Sequence, residues 1–229
     1  MNAFNNCKMI CAALITAASM MLSSCMDDGN NKITGQTAGI VRFDPETIKN
    51  VLDISAYESF YSPLFADMEE GTCCYVAYEL DYGIPENSNA QLAANGYYTV
   101  TLTKKMEVDK YYMTFSPDTS SVALPEESPL INPVLQINGY VKGTMFLLHQ
   151  IKCPSDQKMQ WKLSCDLNDS TVNENGLNIY DVYLRATVSV AGTKTSEDRF
   201  DLCAYNMTMF MENIAQREKN LGNNYVYLR

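Results

Sequence analysis

A period of two is the strongest constraint on this chain. In Lys158 to Asp166 (KMQWKLSCD), Met159, Trp161, Leu163 and Cys165 alternate with Lys158, Gln160, Lys162, Ser164 and Asp166. Successive side chains of a strand point to opposite faces, so the segment makes a strand with one apolar and one wet face. Thr72 to Tyr82 repeats the pattern with Cys74, Val76, Tyr78 and Leu80, and Asp181 to Val190 repeats it with Val182, Leu184, Ala186, Val188 and Val190. Weaker strand signals cover Ala38 to Phe43, Tyr97 to Thr103, Tyr111 to Phe115, Val134 to Val141, Thr144 to Ile151, Phe200 to Tyr205 and Tyr225 to Leu228. Turn residues separate them, among them Pro85-Glu86-Asn87, Ala94-Asn95-Gly96, Pro154-Ser155-Asp156 and Asn175-Gly176.

Helical signals are few. Glu212 to Leu221, stopped by Gly222, predicts a helix near the C-terminus, and Pro45 to Leu52 a short helical turn. The fold class expected is all-β with a minor helix. Residues 117–133, with Pro117, Pro125, Pro129 and Pro133 and little periodicity, read as a linker. Residues 36–116 before it have the size of a small β-barrel, and residues 134–229 after it that of a β-sandwich. Thr144 to Ile151 and Lys158 to Asp166, joined by a short Pro-Ser-Asp turn, are expected to form a hairpin. That register holds Cys153 and Cys165 too far apart for a disulfide.

The first residues give the chain an address. Lys8 is followed by the uncharged run Met9 to Leu22, an n-region and an h-region. The run falls short of the ~20 apolar residues that a spanning helix needs. Leu22-Ser23-Ser24-Cys25 matches the lipobox of bacterial lipoproteins, so residues 1–24 are expected to be a signal peptide and Cys25 the lipidated residue. Diacylation and N-acylation exceed the single-chain limit for stable membrane residence. The polar stretch at residues 25–35 then reads as a flexible tether. Asp27 and Asp28, just after the anchor, resemble the signal that sends lipoproteins of one phylum of gut anaerobes to the outer face of the outer membrane.

Charge narrows the partners. The chain carries a net charge of −10, and cleavage would remove one further positive residue, Lys8. No basic cluster is denser than Lys104-Lys105, which disfavours nucleic acid and electrostatic docking on anionic lipid. Of eight cysteines, cleavage and acylation would leave Cys73, Cys74, Cys153, Cys165 and Cys203. That number is odd and no C-x-x-C occurs, so neither complete pairing nor a zinc site is expected. The vicinal pair Cys73-Cys74 straddles a strand, so at most one of them should face the core.

Catalytic chemistry is sparse. His149, the only histidine, lies inside a strand segment and reads as a sheet residue rather than a general base. No GxSxG, HExxH or phosphate-binding glycine loop occurs. Asp166-Leu167-Asn168-Asp169-Ser170 opens like a calcium loop, but Thr171 stands where glycine is needed and Leu177 where a bidentate glutamate is needed. Glu69-Glu70 and Glu126-Glu127 are the paired carboxylates a glycoside hydrolase could use, although adjacent loop acids are ordinarily solvated. No catalytic residue, metal or cofactor is expected.

The lipobox with its acidic followers, the strand Cys73 to Leu80 (CCYVAYEL) after Glu70-Gly71, the segment Tyr97 to Lys105 (YYTVTLTKK) and the later sandwich together resemble the NigD-like lipoproteins. The resemblance spans roughly residues 36–211 and implies an N-terminal OB-like barrel, a C-terminal sandwich and no established activity. The function expected is a non-catalytic, lipid-anchored envelope lipoprotein that binds an envelope protein or a glycan. The alternatives are an accessory subunit of an outer-membrane nutrient-uptake complex and a hydrolase using the loop carboxylates.

Overall fold

A computed structural model of the chain describes residues 31–115, 127–132, 139–172 and 176–229. The expected signal peptide, Cys25, Asp27, Asp28 and Glu126 lie outside them. The described residues fall into two compact units: residues 31–109 together with Gly139–Lys142, and the remainder.

The first unit is a closed barrel of β1 (Lys32–Asp44), β2 (Lys49–Asp53), β3 (Ser59–Tyr61), β4 (Cys73–Asp81) and β5 (Tyr98–Glu107), ordered β1-β2-β3-β5-β4. Only the β3–β5 seam is parallel. β1 serves two neighbours: Lys32 to Ile40 pair with β4 and Ile40 to Asp44 with β2, so Ile40 stands opposite both Cys73 and Asp53. A strand can turn that corner where the backbone lacks a side chain. Gly39 is there, and a Cβ on it would fall on the Asp53 carbonyl oxygen. The interior holds Val41, Leu52, Phe60, Val76, Leu80 and Val100, with the Phe60 ring 4.6 Å from that of Tyr78. Burying a side chain such as Phe60 contributes about 1.5–3 kcal/mol.

Several expectations are corrected in this unit. Lys32 to Gly35, read as tether, are the first rungs of β1, because Asp81 to Tyr78 of β4 pair with them. Lys49 to Leu52, read as helical, belong to β2, where Leu52 packs inside the barrel. A helix missed from the sequence, α1 (Asn89–Asn95), starts at the Ser88 cap, whose Oγ accepts from Gln91 N, and ends at Gly96 with φ +72°. Cys74, Val76, Tyr78 and Leu80 are buried as the alternation predicts, but Cys73 is also buried, at 2% exposure. It opens β4 beside the Gly71 turn, and its backbone carbonyl accepts from Val108 N.

The second unit contains β6 (Asp109–Tyr112), β7 (Thr114–Phe115), β8 (Leu130–Asn132), β10 (Thr144–Pro154), β11 (Lys158–Val172), β12 (Asn178–Val190), β13 (Ser196–Asn206), α2 (Thr208–Asn220) and β14 (Tyr227–Leu228). β9 (Gly139–Val141) belongs to the barrel unit. One sheet runs β6-β13-β10-β8 and the other β14-β12-β11-β7. Leu147, Ile151 and Tyr205 from the first sheet and Trp161, Leu163 and Tyr180 from the second share one core, closed by Phe210 and Ile214 of α2. This is a β-sandwich, in which the two inner faces interdigitate.

The expected hairpin of β10 with β11 does not form. β10 pairs with β13 and β8, and β11 with β12 and β7. Each strand has one apolar face, and the two faces meet across the core rather than side by side. The connection is fixed by Asp156, whose carboxylate accepts from the backbone N–H groups of Thr193 and Lys194 and from the Thr193 hydroxyl. Among the described residues, Cys73, Cys74, Cys153, Cys165 and Cys203 are all buried and form no disulfide. The segment read as linker supplies β8 and, at Glu127, a bridge to Thr187 of β12. α2 begins four residues earlier than the helix expected, at Thr208 rather than Glu212.

Candidate ligand face of the barrel

An open face of an OB-type barrel, built on its second and third strands and the loops beside them, is where such folds take oligonucleotides and oligosaccharides. In this chain the inward side of β1, β2 and β3 is set by Val41, Leu52 and Phe60. Period two then puts Arg42 and Asp44 of β1, Lys49, Val51 and Asp53 of β2 and Ser59 and Tyr61 of β3 on the outward side. The register agrees, with Asp44 opposite Lys49, Arg42 opposite Val51, Val51 opposite Tyr61 and Asp53 opposite Ser59.

Half of this face is sealed. The Asp53 side chain is only 2% exposed although it points away from the barrel interior. Its carboxylate accepts from Ser59 Oγ at 2.6 Å, Arg42 Nε at 3.1 Å and Lys142 Nζ at 2.5 Å. Lys142 arrives from the segment that returns to the barrel after β8. It is held in the left-handed region (φ +43°) and followed by Gly143 at φ +85°, a pair of conformations that makes a tight two-residue turn. A buried carboxylate is tolerable only when paired and hydrogen-bonded, and this one has three partners.

At the other end Lys49 and Tyr61 are half-buried and Tyr97 is buried, at 3% exposure. Lys49 Nζ sits 4.2 Å from the centroid of the Tyr61 ring and donates to the Tyr97 hydroxyl at 3.0 Å. The two rings are 5.3 Å apart. The hydrogen bond to Tyr97 holds the Lys49 ammonium above its usual range, with burial opposing. Asp44, across the strand pair, does not neutralise it: its carboxylate accepts from Thr47 Oγ1 and lies 3.6 Å from Arg42. The Thr47 hydrogen bond lowers the Asp44 carboxyl below its ordinary value. Ile48, at the tip of the β1–β2 turn, is 78% exposed. Its φ is +55°, a costly conformation for a β-branched residue.

The residues singled out by sequence have other places. His149 is buried in the sandwich, with its Nε2 3.0 Å from the Tyr205 hydroxyl and its ring 4.4 Å from that of Trp161. Both carboxylate oxygens of Glu127 accept from Arg185 Nη1, at 2.8 and 2.7 Å. Glu69 and Glu70 stand exposed in the turn before β4. Asp166 to Val172, the calcium-like stretch, runs along β11 as strand. Among the described residues no three His, Cys, Asp or Glu side chains gather as a metal site. Sequence reasoning missed Arg42, Lys49, Asp53, Tyr61, Tyr97 and Lys142, since no spacing links them. Barrel closure and the return of Gly139–Lys142 bring them together.

A closed barrel in OB strand order followed by a sandwich is thus the class of protein the fold defines. Residues 29–106 match the model of a family described as "Lipoprotein OB domain". Among solved structures, the chain is similar to an uncharacterized protein from Parabacteroides merdae, with TM-score 0.70, 20% identity, and 84% of this chain and 86% of that one covered. It is also similar to a protein of unknown function from Bacteroides vulgatus (TM-score 0.54, 12% identity, coverage 86% and 83%). A third relative in fold, from Bacteroides fragilis, is described as a candidate lipoprotein (TM-score 0.51, 14% identity, coverage 79% and 82%). No curated protein matches the chain. Lipoprotein is the description of the matched family and of the Bacteroides fragilis structure, and none of these descriptions indicates an enzyme family.

Proposed function

We propose that this chain is a non-catalytic, NigD-like envelope lipoprotein, anchored through Cys25, whose barrel binds an envelope protein or a glycan on the outward face of β1, β2 and β3. The observation that carries this reading is a half-buried cation flanked by tyrosines, standing where OB-type barrels take their ligands. Binding without chemistry also accords with the ion pair that occupies Glu127 and the burial of His149. Asp27 and Asp28 support an outer-membrane anchor with the body facing the medium. Residues 31–109 with Gly139–Lys142 would act as the barrel domain and the remaining described residues as the sandwich domain.

Two experiments test the reading. A native pull-down of the C-terminally tagged full chain from detergent-solubilised membranes, repeated with Tyr61→Ala, should yield a protein or glycan partner that the variant loses. Retention of the same partner by the variant would remove the barrel face from the reading. Protease treatment of intact cells should degrade the body, and survival until lysis would turn it inward.

A further inference from the structure

We infer that the Lys49–Tyr61–Tyr97 cluster is a binding site for a glycan that carries carboxylate groups. The inference rests on the reading that the barrel face binds a partner, and it names the chemistry that face takes.

Three observations meet at the cluster. Lys49 is a half-buried cation with no carboxylate partner among the described residues, and the two acids on the outward face of β1 and β2 are committed: Asp44 to Thr47 and Arg42, Asp53 to Arg42, Lys142 and Ser59. An ammonium has three donors, and the Tyr97 hydroxyl accepts one. Two donors are left for a ligand or water, at a place where tyrosine rings have already displaced much of the solvent. Such a site favours a carboxylate, because a charge-assisted hydrogen bond gains where water is thin.

The surroundings select the polymer. A nucleic acid needs a basic track that follows its phosphates, and this face offers one uncommitted cation on a chain of net charge −10. A glycan with spaced uronic acids presents single carboxylates between apolar ring faces. Ile48, exposed beside Lys49 at the tip of the β1–β2 turn, provides an apolar surface for such a ring. Its left-handed backbone is strain of the kind found at ligand-binding turns.

The test uses the full chain purified in detergent and titrated with oligogalacturonate, hyaluronan, fully methyl-esterified oligogalacturonate and dextran. The acidic polymers should bind, and the ester should bind about tenfold more weakly, the scale of one charge-assisted hydrogen bond. Lys49→Met should weaken the acidic polymers by the same factor, while Lys49→Arg should keep binding close to wild type. Thermal melts check that the variants fold, and the ester comparison on wild-type protein does not depend on them. Failure of both acidic polymers to bind, equal binding of acid and ester, or an unchanged Lys49→Met would each overturn the inference. Dextran or ester binding that Tyr61→Ala abolishes would leave the barrel-face reading standing while removing its acidic specificity.

Discussion

Asp53 and Lys142 are 89 positions apart and meet at 2.5 Å, a carboxylate 2% exposed against an ammonium 43% exposed. Arg42, the second cation on Asp53, is 36% exposed. That asymmetry predicts unequal costs. With Asp53→Asn, both cations can turn into water, and the loss should be about 1 kcal/mol. The double variant Arg42→Met, Lys142→Met strands a buried carboxylate with one hydroxyl donor, and should lose about 3 kcal/mol. Urea unfolding of the two proteins compares them directly, and equal losses would refute the asymmetry.

Acid sensitivity should come from two anchored carboxylates. Glu218, 2% exposed near the end of α2, is disfavoured as an anion by burial, yet hydrogen bonds from Tyr180, Asn223 and Asn178 and the charge of Arg217 hold its pKa below the ordinary 4.5. Asp156 is held at about 2 by the backbone N–H of Thr193, the Thr193 hydroxyl and the Lys194 N–H. Both folded values lie below the unfolded ones, so their stabilisation is complete at neutral pH and is withdrawn as the pH falls through the folded values. Melting temperature should therefore drop steadily from pH ~5 towards pH ~2. Glu218→Gln should be less stable at pH 7 and show a shallower acid slope, and a slope identical to wild type would discard the assignment.

The cysteines should be chemically silent. Burial pushes the Cys74 and Cys165 thiols up to about 12, and all five are shielded from solvent. A buried, protonated thiol is a poor nucleophile. Iodoacetamide at pH 8 should leave Cys73, Cys74, Cys153, Cys165 and Cys203 unlabelled in the native protein and label all five in guanidinium. A peptide map with a labelled native cysteine, or a disulfide among them, would contradict this.

Gly39 should resist substitution. Its missing side chain lets β1 pass the Asp53 carbonyl, and backbone cannot yield as a flexible side chain can. Gly39→Ala is expected to destabilise the barrel by about 1–3 kcal/mol through overpacking. The effect should exceed that at Gly139, where a Cβ meets nothing within 4 Å. Thermal melts of Gly39→Ala and Gly139→Ala make the comparison, and matched melting temperatures would count against the close approach.

The sequence by itself determined which residues form strands and which face they bury. Cys74, Val76, Tyr78 and Leu80 in β4 and Trp161, Leu163 and Cys165 in β11 are buried as their alternation predicts, because the orientation of successive side chains is a local property of the extended backbone. Ser164, expected on the wet face, is buried as well. It also marked the helix that closes the sandwich. Partners were decided elsewhere. Whether β10 lies beside β11 or across a core from it depends on which apolar faces meet, and alternation reads the same in both arrangements. The union of Arg42, Asp53 and Lys142, and of Lys49 with Tyr61 and Tyr97, likewise has no spacing in the chain. Only closure of the barrel and the return of Gly139–Lys142 bring those charges and rings within reach.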